Sequence, residues 1–239
     1  MSLFFQSFPT INYDVYGNGR PIEVVDIFRA VRLRKAIRDE VLLYTQYNIQ
    51  DGERPDHVSM NLYGSTDYYW TFFMVNENLV NAFTDWPLTQ NQLQHKINLK
   101  YQGDVMSTDS NISNKFLKGE ELQGLVSGAT TKILEKDTNL GLVKIGDING
   151  VFVNGELIRG TVSNDTMVLS YVIPFADAVH HFEDSDGNEI MRSINAIPIT
   201  NSEYEIIENE KRTQIRVIRP EYISRVADEF YQQINPEAQ

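Results

Sequence analysis

The sequence predicts an α+β protein with a helical N-terminal part, an inserted antiparallel β-rich domain and a C-terminal helix–strand–helix. Three observations predict this class. Apolar residues recur at helical spacing before residue 101. From Gly103 onwards, short β-rich runs alternate with Gly, Asn, Asp and Ser. After residue 201 the chain returns to helical spacing, with one alternating strand between two helices. The predicted segments are 1–21, 22–101, 102–200 and 201–239.

Composition restricts the class of protein. Of the 239 residues, 33 are acidic and 21 are basic, giving a formal net charge of −12. This charge argues against a nucleic-acid binder, because phosphate contacts need a basic surface. The chain has no cysteine, which excludes disulfides, thiol nucleophiles and Cys-ligated metals. The longest strongly apolar run, Tyr68–Val75, is far shorter than the ~20 residues of a membrane-spanning helix. We therefore expect a soluble protein made in the cytosol, without a secretory signal.

The first 21 residues are predicted to form an irregular arm, since they combine Pro9, Gly17, Gly19 and Pro21 with no hydrophobic period. Aromatic side chains in such an arm are costly to leave in water, so the arm either packs on its own domain or docks onto a partner. The candidate partner-binding residues are Phe4, Phe5, Phe8, Tyr13 and Tyr16.

A helix is predicted from Asp26, which can cap it, to about Val41. Its apolar stripe leaves a basic face made of Arg29, Arg32, Lys35 and Arg38. This face is either simply solvated or an electrostatic docking surface for an acidic neighbouring subunit.

The next elements are predicted as a strand and three helices. Residues 42–49 are rich in aromatic and β-branched side chains and end at a turn. Pro55 opens a helix that stops at Gly64. A second helix, over about 67–76, is so rich in large apolar groups that we expect it to be buried nearly all round. Thr89 and Gln92 have the spacing of a capping box and predict a third helix.

An internal repeat marks the β-rich segment. The run Phe116–Ser127 matches the run Phe152–Ser163 without a gap. Phe, Gly, Glu, Gly, Val and Ser coincide, which predicts two hairpin-bearing units with glycine at positive φ and with Phe and Val facing inwards. Further strands are predicted over 142–145 and 151–153, and a hairpin is predicted to turn on Asp186 and Gly187.

The C-terminal segment predicts a helix, a strand and a helix. Ser202 and Glu205 have capping-box spacing. Residues 214–219 alternate between apolar and polar, as a strand with one wet face does. Pro220 then opens the last helix.

No motif for catalysis or for a cofactor is present. None of the four histidines has metal-binding spacing to another, and adjacent His180 and His181 in a strand should point to opposite faces. The Asp184–Gly187 run resembles the start of a calcium loop but lacks its later glutamate, so it is interpreted as a turn. The sequence therefore predicts no catalytic residue, no metal and no cofactor.

Two segments carry a family resemblance. The first contains Asp26, Tyr44, Pro55, Tyr63-Gly64, Tyr69-Trp70 and Asn76; the second contains Tyr204, Glu208, Lys211, Gln214 and a final helix. Together they resemble the lysin-motif-bearing (LysM) baseplate wedge subunit of T-even-type contractile-tailed bacteriophages. The resemblance covers about residues 22–101 and 201–234.

Part of the first segment is similar to a lysin motif by itself, as a strand, a helix ending in Tyr-Gly, and a second helix carrying Trp. The resemblance makes these residues a structural core motif and adds a LysM-like module to residues 22–101. A lysin motif ends in a second strand, whereas residues 85–89 lead into a capped helix. The motif residues are Tyr63, Gly64, Tyr69, Trp70 and Asn76.

The resemblance implies a structural protein of the virion, without enzymatic turnover. It implies that several copies, in a sixfold assembly put together in the host cytoplasm, join neighbouring wedges and tie them to the central hub or tube. Partners would then be other wedge and hub proteins, without nucleic acid, membrane or small-molecule substrate. Trp86 and Pro87 are further candidate interface residues, with core packing as the equal alternative for Trp86. The competing functions are a peptidoglycan-binding module or tail-associated lysin component and, more remotely, a hydrolase.

Overall fold

The computed structural model describes residue 5 and residues 8–29, 40–82 and 84–234. Short 3₁₀ turns occur at Val41–Leu43, Thr66–Tyr68, Phe175–Asp177 and Pro220–Tyr222. The helices and strands, in chain order, are β1 (Thr10–Tyr13), β2 (Ile22–Val25), β3 (Tyr44–Asn48), α1 (Pro55–Tyr63), α2 (Trp70–Val75), α3 (Gln90–Lys100), β4 (Asp104–Ser107), β5 (Glu121–Gly124), β6 (Thr130–Asp137), β7 (Leu142–Ile145), β8 (Leu157–Gly160), β9 (Thr166–Val168), β10 (Tyr171–Pro174), β11 (Val179–Glu183), β12 (Glu189–Ile190), β13 (Ile197–Thr200), α4 (Asn201–Glu210), β14 (Gln214–Ile218) and α5 (Ile223–Ile234).

The expected helical N-terminal part is wrong. Strands β1 and β2 pair antiparallel, with Thr10 opposite Val25 and Tyr13 opposite Ile22, so part of the predicted irregular arm is a hairpin. The β-branched residues of both strands favour this pairing. The predicted helix over 26–41 falls mostly outside the described residues, and its described start, 26–29, contains a turn. The described chain is β-rich, with seven strands in its largest sheet.

The chain divides into two compact units. Unit 1 comprises the residues up to Thr89 and those from Asn209, and unit 2 comprises Gln90–Glu208. Unit 2 is therefore inserted into the sequence of unit 1.

Unit 1 contains a strand pair formed by residues far apart in sequence. Strand β3 pairs antiparallel with β14, Tyr44 opposite Ile218 and Asn48 opposite Gln214. The predicted strand at the C-terminal end is thus the partner of the strand that precedes α1. Helix α5 brings an apolar stripe of five buried residues to this unit: Ile223, Val226, Ala227, Phe230 and Ile234.

Helices α1 and α2 follow the predicted residues, but the second is shorter than expected. The Gly64 N–H donates to the Met60 carbonyl at 2.9 Å, and Gly64 has φ of 72°, which lets the chain leave α1 sharply. The predicted helix over 67–76 is a 3₁₀ turn followed by α2. In α2, Trp70 stacks on Phe230 of α5 with ring centroids 4.3 Å apart.

Unit 2 is built on an antiparallel sheet with the order β10-β4-β7-β6-β5-β8-β9. Its end strands β9 and β10 are separated only by Leu169 and Ser170. The Leu169 N–H donates to the backbone carbonyl of Glu156 beside β8, and the Ser170 N–H donates to the backbone carbonyl of Ser107 in β4. Residues 166–174 therefore contain both end strands of the sheet, and they bond to β8 through β9 and to β4 through β10. The sheet thus closes on itself as a barrel. The enclosed side chains are Met106, Ile112, Phe116, Leu122, Ile133, Val143, Ile145, Ile158, Met167 and Leu169.

The sequence repeat is also a structural repeat inside this barrel. Strand β5 pairs with β8 so that Leu122 lies opposite Gly160 and Gly124 lies opposite Ile158. Because Ile158 and Gly160 are the repeat equivalents of Leu122 and Gly124, this pairing is unchanged when the two halves are exchanged. The outer pairs, β5 with β6 and β8 with β9, also have equivalent registers. The two halves are therefore related by a pseudo-twofold axis.

Part of the predicted repeat chemistry is wrong. Phe116 is buried and Phe152 is half-buried, but Val126 and Val162 are 76% and 65% exposed. Their backbone N–H groups are held by buried carboxylates, which leaves the Val side chains on the outside. Residues 151–153 do not form a strand.

A capping box begins α4, but not at the predicted residues. Thr200 and Glu203 form it: the Glu203 N–H donates to Thr200 Oγ1, and the Thr200 N–H donates to Glu203 Oε2. Glu205, 3% exposed, instead accepts hydrogen bonds from Lys96, Lys100 and Tyr101. Burial opposes ionisation of Glu205, but these donors outweigh it and lower its pKa to about 2. The carboxylate thus fastens α4 to α3.

Candidate protein interface

The β1–β2 hairpin and the turn that follows it, residues 10–28 and here called the aromatic hairpin, expose large aromatic side chains. Tyr13, Tyr16 and Phe28 are 50%, 75% and 73% exposed. The Tyr13 and Phe28 rings lie near each other, with centroids 6.2 Å apart. The apolar residues Val15, Ile22, Val25 and Ile27 of the same segment are exposed as well. An exposed group of this kind is typical of a protein–protein contact.

Phe8 attaches this hairpin to unit 1. It is 8% exposed and lies in the core cluster that contains Trp70 and Phe230. The Asp26 N–H donates to the Pro9 carbonyl at 2.8 Å and closes the base of the hairpin. Phe5, 50% exposed, lies against Phe8 with ring centroids 5.3 Å apart. The sequence left two alternatives for the arm, packing on its own domain or docking onto a partner. Phe8 packs on its own unit, whereas Tyr13 and Tyr16 are exposed to solvent.

The hairpin tip is held by a carboxylate. The Asp14 side chain accepts hydrogen bonds from the Gly19 N–H at 2.6 Å and the Asn18 N–H at 3.1 Å. The Gly19 bond is the largest cause of the lowered pKa of Asp14. Gly17 and Gly19 have φ of 64° and 74°, a conformation that other residues rarely adopt. The tip that presents Tyr16 is therefore an ordered turn.

Trp86 packs inside unit 1. Its indole N–H donates to the Glu53 carbonyl at 2.7 Å, and its ring lies against Phe72 and Phe73. The neighbouring Pro87 is half-buried. These contacts are the intramolecular alternative that the sequence left open for Trp86.

The basic face is described only at its first residue. Arg29 is exposed. Phe4 of the arm and the other predicted members of the basic face, Arg32, Lys35 and Arg38, lie outside the described residues.

The five motif residues of the lysin-motif resemblance lie in helices α1 and α2 of unit 1 or at the ends of these helices. Tyr63 Oη donates to the Ile218 carbonyl of β14 at 2.8 Å, and burial raises the pKa of this phenol. Tyr69 packs against the core clusters on both sides of α2. Asn76 is buried and its Nδ2 donates to the carbonyls of Phe72 and Arg216. Its Oδ1 accepts from the Arg216 N–H at 2.8 Å. Tyr63 and Asn76 therefore join the helices to β14.

The buried carboxylates of the barrel are fully used in structure. Glu120 and Glu156 are 5% and 4% exposed. Glu156 accepts hydrogen bonds from the N–H groups of Val126, Ser127 and Val153 and from Ser127 Oγ. Burial alone would raise the pKa of Glu156, but these donors outweigh it and lower the pKa to about 2. Four donors leave this carboxylate ionised and occupied, which does not suit a general acid or base.

The two adjacent histidines face each other, which corrects the expectation of opposite faces. A β-bulge shifts the register between Val179 and His181, and the Nδ1 atoms of His180 and His181 lie 2.8 Å apart. The His180 ring also stacks on Tyr204 at 4.0 Å. Burial is the main cause of the lowered pKa of His180. Within the described ranges, no group of three or more His, Cys, Asp or Glu could hold a metal ion.

The turn at Asp184 is held by its own side chain, as the sequence predicted. Asp184 Oδ1 accepts from the N–H groups of Asp186 and Asn188, each at 2.9 Å.

In the part of the chain that the structure describes, no helix has the length and apolar character needed to cross a membrane.

Sequence reasoning missed several members of the exposed surface. The sequence predicts that Ile27 and Phe28 lie at the start of a helix and that Ile22 and Val25 belong to the segment after the arm. The signal for them is the β-branched run over 22–25, which follows a Gly-rich turn and matches the residues 10–13 in length.

These features are typical of a structural protein: an exposed aromatic hairpin lies on a folded unit, and the buried side chains of Asn76, Glu120, Glu156 and Glu205 form hydrogen bonds within the fold. Residues 3–121, about half of the chain, match the family described as base plate wedge protein 53 of phages. The match supports a phage baseplate wedge subunit with a structural role, a component of the virion tail. No curated protein matches the chain.

Proposed function

We propose that this protein joins neighbouring wedges of a contractile-tail baseplate and ties them to the central hub or tube. The observation that carries the proposal is the exposed aromatic hairpin, which lies within the residues matched by the wedge family. Tyr is enriched in the centres of protein interfaces, because it buries a large area and keeps a polar end. A two-stranded hairpin is also marginal by itself and gains stability when another chain covers it.

The remaining features of the proposal come from the resemblance. They are a T-even-type baseplate, several copies in a sixfold assembly, and assembly in the host cytoplasm. The basic face of Arg29, Arg32, Lys35 and Arg38 would attract an acidic neighbour before contact, because long-range charge attraction accelerates encounter.

Incorporation into tails tests the proposal. Tyr16→Ser with Phe28→Ser should lower incorporation by about tenfold or more, since aromatic anchors carry much of an interface's free energy. The matched control is Val80→Ser, because Val80 is in the same unit and 83% exposed but lies outside the hairpin. Equal incorporation of the hairpin variant, the control and the wild type would contradict the proposed interface.

Glycan binding is the second candidate. In unit 1 the order strand, helix, helix, strand, formed by β3, α1, α2 and β14, supports the lysin-motif resemblance. A groove beside β14 is lined by side-chain amides, including Gln46, Asn78 and Gln214. Retention on purified peptidoglycan that is lost in Gln46→Ala with Gln214→Ala would favour this function. Absence of retention would exclude it.

A further inference from the structure

Five exposed aliphatic side chains surround the turn that Glu156 holds. Their exposed fractions range from 45% for Leu157 to 76% for Val126. The N–H groups of Val126 and Val153 bind the same carboxylate, and the Leu125 N–H donates to the Leu157 carbonyl at 2.9 Å. Leu157 lies opposite Val168 in the β8–β9 pair. The aliphatic patch is Leu125, Val126, Val153, Leu157 and Val168.

The pseudo-twofold axis provides an internal comparison. At the other end of the barrel, Glu120 holds the equivalent turn through the N–H groups of Leu117, Val162 and Ser163. There the cross-strand pair equivalent to Leu157 and Val168 is Glu121 and Lys132. Thr161 replaces Leu125. Two positions are aliphatic at both ends of the barrel. Leu117 is the equivalent of Val153, and Val162 is the equivalent of Val126.

The comparison indicates that the fold does not require aliphatic side chains at Leu125, Leu157 and Val168. The same hydrogen bonds and registers are formed at the other end, where the equivalents of these three residues are the exposed and charged or polar Thr161, Glu121 and Lys132. An opposite-charge cross-strand pair is at least as suitable as an aliphatic pair on a wet sheet face. Exposed Leu and Val side chains grouped in this way are typical of a surface that another protein covers.

We propose that the aliphatic patch docks a neighbouring tail subunit through an uncharged, apolar surface of that subunit. This rests on the proposed function. The turn residues 125–129 and 151–155 contain no charged side chain, so the patch offers nothing to pair with a charged partner surface.

The size of the patch favours a neighbouring tail subunit over a second copy of this chain as the partner that covers it. A stable interface buries about 800 Å² per partner and involves about 20–30 residues a side. Five side chains are too few to hold a free dimer. They suit a partner that other contacts already keep in place, as in an assembled tail.

Photo-cross-linking in assembled tails tests the proposal. A photoreactive phenylalanine analogue is placed at Val126 or, as the matched control, at its repeat equivalent Val162. The expected result is a cross-link from position 126 to another tail protein, at least about fivefold stronger than from position 162. Equal yields at both positions, or a cross-link from position 126 to a second copy of this chain, would overturn the proposal.

Paired charge substitutions provide a second readout. Val126→Glu with Val153→Glu should lower incorporation into tails by about tenfold, which corresponds to about 1.4 kcal/mol of contact free energy. Val162→Glu with Leu117→Glu is the equivalent control and should change incorporation by less than about twofold. If wild-type protein is present in tails and both variants are incorporated equally, the proposed role of the patch is contradicted and the proposed function is not. Absence of wild-type protein from tails would overturn the proposed function and the patch together.

Discussion

Glu120 and Glu156 each hold a turn in the other half of the repeat. Glu120 accepts hydrogen bonds from Ser163, and Glu156 accepts equivalent bonds from Ser127. The side-chain bonds to Ser Oγ are 2.9 Å and 2.8 Å long. The two carboxylates therefore connect the halves reciprocally, at both ends of the β5–β8 pair.

Glu156→Gln is expected to destabilise unit 2 by about 3 kcal/mol, because charge-assisted hydrogen bonds are lost and buried N–H groups are left poorly paired. Glu120→Gln should have a similar effect, since its contacts are equivalent. Chemical denaturation measures both. A loss below about 0.5 kcal/mol in either variant would contradict the structural role of these carboxylates.

Unit 2 is expected to lose stability in acid. The pKa of a glutamate is 4.5 in the unfolded chain and about 2 for Glu156 and Glu205 in the fold. Between these values the unfolded state binds more protons, so the contribution is complete above about pH 4.5 and falls as the pH drops towards 2. Denaturation at several pH values checks this. Glu156→Gln should flatten the dependence, and an unchanged slope in that variant would contradict it.

Gly124→Ala and Gly160→Ala are expected to destabilise the barrel by about 2 kcal/mol or more, because overpacking displaces buried groups. A Cβ at Gly124 would lie 2.6 Å from Glu156 Oε2, and one at Gly160 would lie 2.8 Å from Glu120 Oε1. Gly146→Ala is the control, since its nearest neighbour would be 3.8 Å away. Thermal unfolding compares the three. Equal melting temperatures for all of them would contradict the close approach.

Asn76→Ala is expected to destabilise unit 1 by about 2 to 3 kcal/mol, because it leaves the Arg216 backbone groups without their partner. Tyr63→Phe should cost about 1 kcal/mol, the value of one neutral hydrogen bond. Chemical denaturation of both variants measures the difference. A larger loss for Tyr63→Phe than for Asn76→Ala would reverse the order that the contacts predict.

The sequence predicts local structure well where one residue decides it. Pro55 and Gly64 bound α1 as expected, and α3 begins at Gln90, directly after Thr89. The Asp184 turn and the alternating strand that is β14 also follow from local pattern. In each case the signal lies within a few neighbouring residues.

Long-range contacts decide what the sequence could not predict. Strand β3 pairs with a segment about 170 residues later, and no local signal identifies that partner. The closed barrel depends on the two-residue link between β9 and β10. The repeat identifies Glu120 and Glu156 as equivalent but does not show that their hydrogen bonds cross between the halves. These bonds hold the N–H groups of Val126 and Val162 and leave both side chains exposed, whereas the repeat alone predicts that they face inwards. The bulge at His180 likewise depends on the pairing of β11 with β13.

A reconstruction of the assembled tail tests the central claim most directly, because it shows which surfaces of this chain other polypeptides cover. The account predicts that the protein is found in the baseplate with Tyr16 and Phe28 buried against another chain. A baseplate that lacks this protein, or one in which the hairpin faces solvent on all sides, would contradict the account.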